Sequence, residues 1–134
     1  MYISQMPTIL IADDDRAVRC LLENCLRNAG HSVLVACNGR EALEMSRDHA
    51  VELVLMDMSM PEVDGWTASR MIKDVIDHRI QIIAVTAYSL PGDRARAVAA
   101  GCTKFLSKPI NTNLLADTIA EALALRKNIE DNED

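Results

Sequence analysis

Val54-Leu55-Met56-Asp57-Met58-Ser59-Met60-Pro61-Glu62-Val63-Asp64-Gly65 is the stretch from which the rest of the chain is best read. From Val51 to Met56 the residues are apolar except Glu52, a run long enough for one buried strand and too short for a helix. The run delivers Asp57 to a strand tip. Pro61, Asp64 and Gly65 then break the pattern, so the Asp57 side chain opens onto a loop and not into the interior of a sheet. Taken alone, an acid in such a place most often ends the strand or caps the next helix. It can also hold a metal ion or attack an electrophile, and what else reaches the same edge decides between these roles.

Upstream, Thr8 to Ala12 is a second short apolar run, and it ends in Asp13-Asp14-Asp15. Val18, Leu21, Leu22, Cys25, Leu26 and Ala29 recur at helical steps, with Asp15 as the expected N-cap and Gly30 as the stop. Ser32 to Ala36 predicts a strand, and Gly39 to Ala50 a helix with a weaker stripe of Ala42, Met45, Ser46 and His49. Downstream, Ala68, Met71, Ile72, Val75 and Ile76 step as a helix, and Gln81 to Val85 is a strand leading into Thr86-Ala87-Tyr88. An alanine-rich helix from Asp93 to Ala100 stops at Gly101, Thr103 to Ser107 is the last strand, and Lys108-Pro109 follows it. Leu115, Thr118, Ile119, Ala122 and Leu123 mark a closing helix, capped by Asn111 or Thr112.

This alternation predicts an α/β fold, a doubly wound five-stranded parallel sheet with five helices over its two faces. Residues 8–127 form the expected domain, between an amino-terminal tail at 1–7 and an acidic tail at 128–134 that is expected to fray. Ligands in such folds bind beyond the carboxyl ends of the strands. The residues found there are Asp13 with Asp14, Asp57, Thr86 and Lys108.

Composition narrows the possible partners. The chain has 134 residues and a net charge of -6, without the clustered Lys and Arg that a nucleic-acid surface needs. No apolar stretch approaches a membrane span, and the start Met1-Tyr2-Ile3-Ser4-Gln5-Met6-Pro7 lacks the features of a secretory signal, so a cytoplasmic protein is expected. Cys20, Cys25, Cys37 and Cys102 contain no C-x-x-C pair and read as small reduced core residues. His31, His49 and His78 form no pattern with each other and read as surface or packing residues, and Trp66 reads as a core residue at a helix start.

Carboxylates gathered on one rim repel one another unless a cation compensates them. Mg2+ suits such a donor set, because it takes a few carboxylate oxygens and leaves positions for water and a phosphoryl oxygen. Asp13, Asp14 and Asp57 are the expected metal ligands, with the Ser59 backbone carbonyl as a further one. Asp57 keeps one oxygen free to attack phosphorus, which makes it the nucleophile and an aspartyl phosphate the product. Thr86 and Lys108 are expected to supply a hydroxyl hydrogen bond and a positive charge to the phosphoryl oxygens.

Asp13-Asp14, Asp57 in its Met-Asp-Met-Ser-Met-Pro-Glu-Val-Asp-Gly setting, Thr86-Ala87 and Lys108-Pro109 together resemble the receiver domains of bacterial two-component response regulators, over about Ile9 to Leu125. The resemblance implies a flavodoxin-like sheet of order 2-1-3-4-5 and a phosphoryl donor that is a phosphohistidine on a histidine kinase or histidine phosphotransfer protein. It also implies a cis Lys108-Pro109 bond, a Thr86 that swings toward the phosphate, and Phe105 as the aromatic switch where many members carry Tyr. Phe offers no hydroxyl, so its switching would be a matter of packing alone. Ser59 and Tyr88 correspond to positions flanking the route of attacking water, and Tyr88 is expected to shield the acyl phosphate. The expected output is a protein target at the face made by the fourth helix, fifth strand and fifth helix.

Two other readings share parts of this pattern. A Mg2+-dependent phosphatase or phosphotransferase acting through an aspartyl phosphate usually carries a second acid two residues after the nucleophile, a position that here is Ser59. A flavin-binding electron carrier needs a Ser/Thr/Gly-rich phosphate loop after the first strand and aromatic residues around the flavin, and neither is present.

Overall fold

The apolar runs form five parallel strands: β1 (Thr8–Ala12), β2 (Ser32–Ala36), β3 (Leu53–Asp57), β4 (Gln81–Thr86) and β5 (Lys104–Ser107). The computed structural model describes residues 7–87 and 90–133. Sheet order is β2-β1-β3-β4-β5, as the resemblance implied, with the order reversing between β1 and β3. The helices are α1 (Arg16–Asn28), α2 (Gly39–Asp48), α3 (Gly65–Met71), α4 (Asp93–Ala99) and α5 (Thr112–Glu133).

Side-chain alternation sorts the core into two layers. Ile9, Ile11, Leu53, Leu55, Ile83, Val85 and Leu106 face one way and pack with Leu22 and Leu26 of α1 and Leu115 and Ile119 of α5. Leu10, Ala12, Val54, Met56, Ile82, Ala84 and Phe105 face the other way and meet Ala42 of α2, Ala68 of α3 and Ala97 of α4. The central strands are therefore buried on both faces, which is why they read as unbroken apolar runs.

Helix starts follow local side-chain chemistry. Asp15 Oδ1 accepts from the amides of Ala17 (2.9 Å) and Val18 (3.4 Å), the expected cap of α1. Asn38 Oδ1 accepts from Glu41 N at 2.8 Å to start α2, and Asp64 Oδ1 from Thr67 N at 2.8 Å to start α3. At α5 the cap is Asn111, whose Oδ1 takes the amides of Asn113 (2.9 Å) and Leu114 (3.3 Å).

In three places the structure departs from the sequence-based expectation. The helical stripe to Ile76 is α-helical only to Met71; Ile72–Ile76 is a π turn closed by Asp77 N on Ile72 O at 2.9 Å. The acidic tail is helical: α5 runs to Glu133, with Arg126 paired to Glu130 one turn on (2.8 Å) and Glu133 paired to His78, a histidine for which no partner was expected. Cys20 and Cys37 are exposed and only Cys102 is fully buried, because the first two fall on the outer sides of their segments; all four are free thiols. Among the described residues no helix is long and apolar enough to cross a membrane.

Candidate functional site

Three strand ends and one loop meet beside the point where the sheet order reverses. Asp13 extends β1 by one more ladder bond, its amide donating to Ala36 O at 3.2 Å, and this draws its side chain into the fold. Its Oδ1 accepts from Asp15 N at 2.9 Å and its carbonyl accepts from Arg19 Nη1 at 2.9 Å, while Oδ2 lies 2.9 Å from Lys108 Nζ. Asp14 is exposed beside it. Asp57 closes β3, where the chain continues paired to β4 through Met58 N and Val85 O at 3.0 Å. Its side chain is only 4% exposed, yet Oδ1 accepts from Ser59 N at 3.1 Å and Oδ2 lies 3.5 Å from Lys108 Nζ.

One oxygen from each of Asp13, Asp14 and Asp57 falls within 4.8 Å of the others. Burial is the largest influence on Asp57. It pushes the carboxyl up, the Ser59 amide pulls it down and the charge of Asp13 pushes it up again, for a net value of about 6. Lys108 pulls it down in turn. Burial works against the Lys108 ammonium, but the hydrogen bond to Asp13 and the fields of Asp13 and Asp57 outweigh it and hold the group above the usual lysine range. The result is a proton-hungry carboxylate beside a fixed cation, a combination that a small hard cation can relieve.

Alternation in the strands explains the meeting. Asp13, Asp57 and Lys108 continue the positions of Ile11, Leu55 and Leu106, all on the α1/α5 face, so their side chains converge. Thr86 continues the opposite set, Ala84 and Phe105. It is buried at the end of β4, and its carbonyl accepts from Lys108 N at 2.8 Å. Since Ala84 pairs with Phe105 and Thr86 with Ser107, the Thr86 and Phe105 side chains share one face as diagonal neighbours. Phe105 is half-buried under the Arg94 guanidinium, 5.6 Å from the ring centroid. The Lys108-Pro109 peptide is cis.

Of the residues singled out from the sequence, the structure thus brings together Asp13, Asp14, Asp57, Ser59 and Lys108, with Thr86 at the next strand end. Ser59 meets the site through its amide on Asp57. Tyr88 lies outside the described residues. Two glycines that sequence reasoning treated only as helix boundaries also shape the site. A β-carbon on Gly65 would lie 2.2 Å from Asp57 O, and one on Gly39 would lie 1.9 Å from Val63 O. Both let backbone approach the loop after Asp57, a role that no local pattern signals.

The family model described as the response regulator receiver domain matches residues 9–120. The polar-differentiation response regulator DivK of Brucella anthropi is 34% identical over 117 residues, which are 87% of this chain and 95% of that protein. Among solved structures, the receiver domain of a sensor histidine kinase from Pseudomonas aeruginosa, with a magnesium ion coordinated in its active site cleft, superposes with a TM-score of 0.81 at 29% identity, covering 89% of this chain and 98% of that one. A co-crystal of the Saccharomyces cerevisiae histidine phosphotransfer protein Ypd1 with the receiver domain of its downstream response regulator Ssk1 gives a TM-score of 0.82 at 26% identity, covering 93% and 94%.

Proposed function

Because this chain belongs to the response regulator receiver domain family, we propose that it is a phosphoacceptor switch in which Asp57 takes a phosphoryl group from a phosphohistidine. The observation that carries the proposal is the approach of Asp13, Asp14 and Asp57 to one another with Lys108 spanning two of them.

The donor set fits Mg2+: three carboxylates offer only hard oxygen ligands, and burial has left Asp57 short of compensating charge. Asp13, Asp14, Asp57 and the Ser59 carbonyl would hold the ion. When bound it supplies positive charge to the phosphoryl oxygens. The remaining steps belong to the chain. An Asp57 oxygen attacks phosphorus, the P–N bond to the donor imidazole breaks, and the electron pair leaves with the ring nitrogen, which yields an acyl phosphate. The Lys108 ammonium lies 3.5 Å from the Asp57 carboxylate, where it is placed to take a phosphoryl oxygen as a charge-assisted partner.

Thr86, Phe105 and Tyr88 are the proposed switch residues. Movement of the Thr86 hydroxyl toward the phosphate vacates space on the face it shares with Phe105, and the half-buried ring follows by packing alone. The donor is a histidine kinase or a histidine phosphotransfer protein, and the output is a protein bound at the face formed by α4, β5 and α5, in the cytoplasm. That face carries exposed Leu90 and Leu114 beside Phe105 around a cavity of about 520 Å³. Phosphatase or phosphotransferase turnover is disfavoured because Ser59 offers no carboxyl group for proton transfer.

The test is incubation with acetyl phosphate and Mg2+, followed by intact mass. One added phosphoryl group that EDTA and Asp57→Asn both abolish is expected. Labelling that survives Asp57→Asn, or steady phosphate release from simple phosphate esters, overturns the reading.

A further inference from the structure

The alanines of α4 leave an open groove against α3 on the flank away from Phe105. Its volume is about 410 Å³, and it is edged by Trp66, Arg70, Met71, Arg96, Ala99 and Ala100. Trp66 and Arg70 stand one turn apart on α3 and therefore share a face. Across the groove, the Arg96 guanidinium stacks on the Trp66 ring 4.4 Å from its centroid. Stacking uses only the face of the guanidinium and leaves its in-plane N–H donors open, fixed in the fork that matches a carboxylate. Arg27, Arg40, Arg47, Arg79 and Arg126 are paired with carboxylates, whereas Arg70 and Arg96, like Arg16, Arg19 and Arg94, have no acidic side-chain partner among the described residues. What sets Arg70 and Arg96 apart is that both are exposed and edge the same groove beside one aromatic ring, on a chain of net charge -6.

We propose that this groove docks an acidic segment of a partner protein, with carboxylates on Arg70 and Arg96 and an apolar neighbour against Trp66 and Met71. Charge complementarity selects that occupant: two guanidiniums match a pair of carboxylates, whereas a nucleic acid would carry further phosphates into the negative field of the rest of the chain. The groove is separate from the α4–β5–α5 face and needs no phosphoryl group on Asp57, so its test does not depend on the proposed switch.

Trp66 is the sole tryptophan, which makes its emission and its indole N–H resonance direct reporters of the groove. The probes are synthetic Gly-Ser peptides carrying two glutamates at varied spacing next to one leucine, with lysine-for-glutamate peptides as controls. Acidic peptides are expected to shift the Trp66 signals saturably and to weaken with added salt, while the lysine peptides do not bind. Arg96→Gln and Arg70→Gln should each weaken binding about tenfold, and Arg96→Lys, which keeps the charge without the planar fork, should weaken it less. Both arginines are exposed, so these variants keep the fold. Absence of a saturable shift, equal affinity in the Arg70→Gln/Arg96→Gln double variant, or tighter binding of a short single-stranded oligonucleotide than of any acidic peptide overturns the proposal.

Discussion

Gly65 packs against the backbone of Asp57 so closely that a β-carbon at Gly65 would sit 2.2 Å from Asp57 O and 2.6 Å from Met58 Cα. The first turn of α3 thereby braces the strand end that carries the Asp57 carboxylate, and Gly65 N donates to Met58 O at 3.2 Å across the same contact. Backbone cannot swing aside as a flexible side chain can. Gly65→Ala should therefore destabilise the protein by about 2 kcal/mol or more, read as a lower urea midpoint. It should also slow labelling of Asp57 by acetyl phosphate, because relief of the clash moves the nucleophile.

Asp57 sets a pH dependence whose sign follows from its raised value. Free in the unfolded chain the carboxyl ionises near 3.8, but folded it holds its proton to about 6, so between these values the native state binds more protons. Its contribution to stability is then lost as pH rises through that window and stays lost above it. Without metal, Asp57→Asn should stabilise the protein at pH 7 by about 1–3 kcal/mol and should make no difference near pH 3, measured by denaturant unfolding. Millimolar Mg2+ should restore wild-type stability at pH 7 and have little effect on the Asn variant.

Lys108 is 2.9 Å from Asp13 but 3.5 Å from Asp57, an unequal sharing that leaves Asp57 the less compensated acid. Lys108→Ala removes the cation from both. Labelling of Asp57 by acetyl phosphate should fall by about 10–100-fold, since a positive charge is missing where the phosphoryl oxygens arrive. Mg2+ affinity should hold or rise, because one cation no longer competes with the other. Equal labelling rates in the two proteins would remove Lys108 from the chemistry.

The pair between His78 and Glu133 ties the last turn of α5 to the segment before β4, yet both side chains stay largely open to solvent. Exposed pairs contribute little, so Glu133→Gln should change global stability by less than about 1 kcal/mol. Hydrogen exchange should nonetheless quicken at the amides of residues 131–133, which lie beyond the Arg126–Glu130 pair and are held to the rest of the fold by this contact.

Several features could be read directly from the order of residues. The five apolar runs, the acids at their ends and the glycine and proline breaks specified an alternating parallel α/β fold, since a strand buried on both faces has to be apolar throughout. Asp15 as a cap was legible because capping is local, a matter of one side chain and the next three amides. Cys20 and Cys37 misled because apolar neighbours in sequence do not say which side of a helix or loop faces water. The persistence of α5 beyond Asn128 was invisible for a related reason: the residue that meets Glu133 is His78, 55 positions away.

Residue order alone thus established the element sequence and named a short roster of candidate site side chains, because periodicity and turn chemistry act over a few residues. Folding settled which of those side chains meet. Asp13, Asp57 and Lys108 end on one side of the sheet and Thr86 on the other because strand register and pleat assign each its direction, and those depend on long-range pairing. The rise of the Asp57 carboxyl, the hold of Lys108 and the Trp66–Arg96 stack all come from burial and proximity, which arise only once distant segments are packed together.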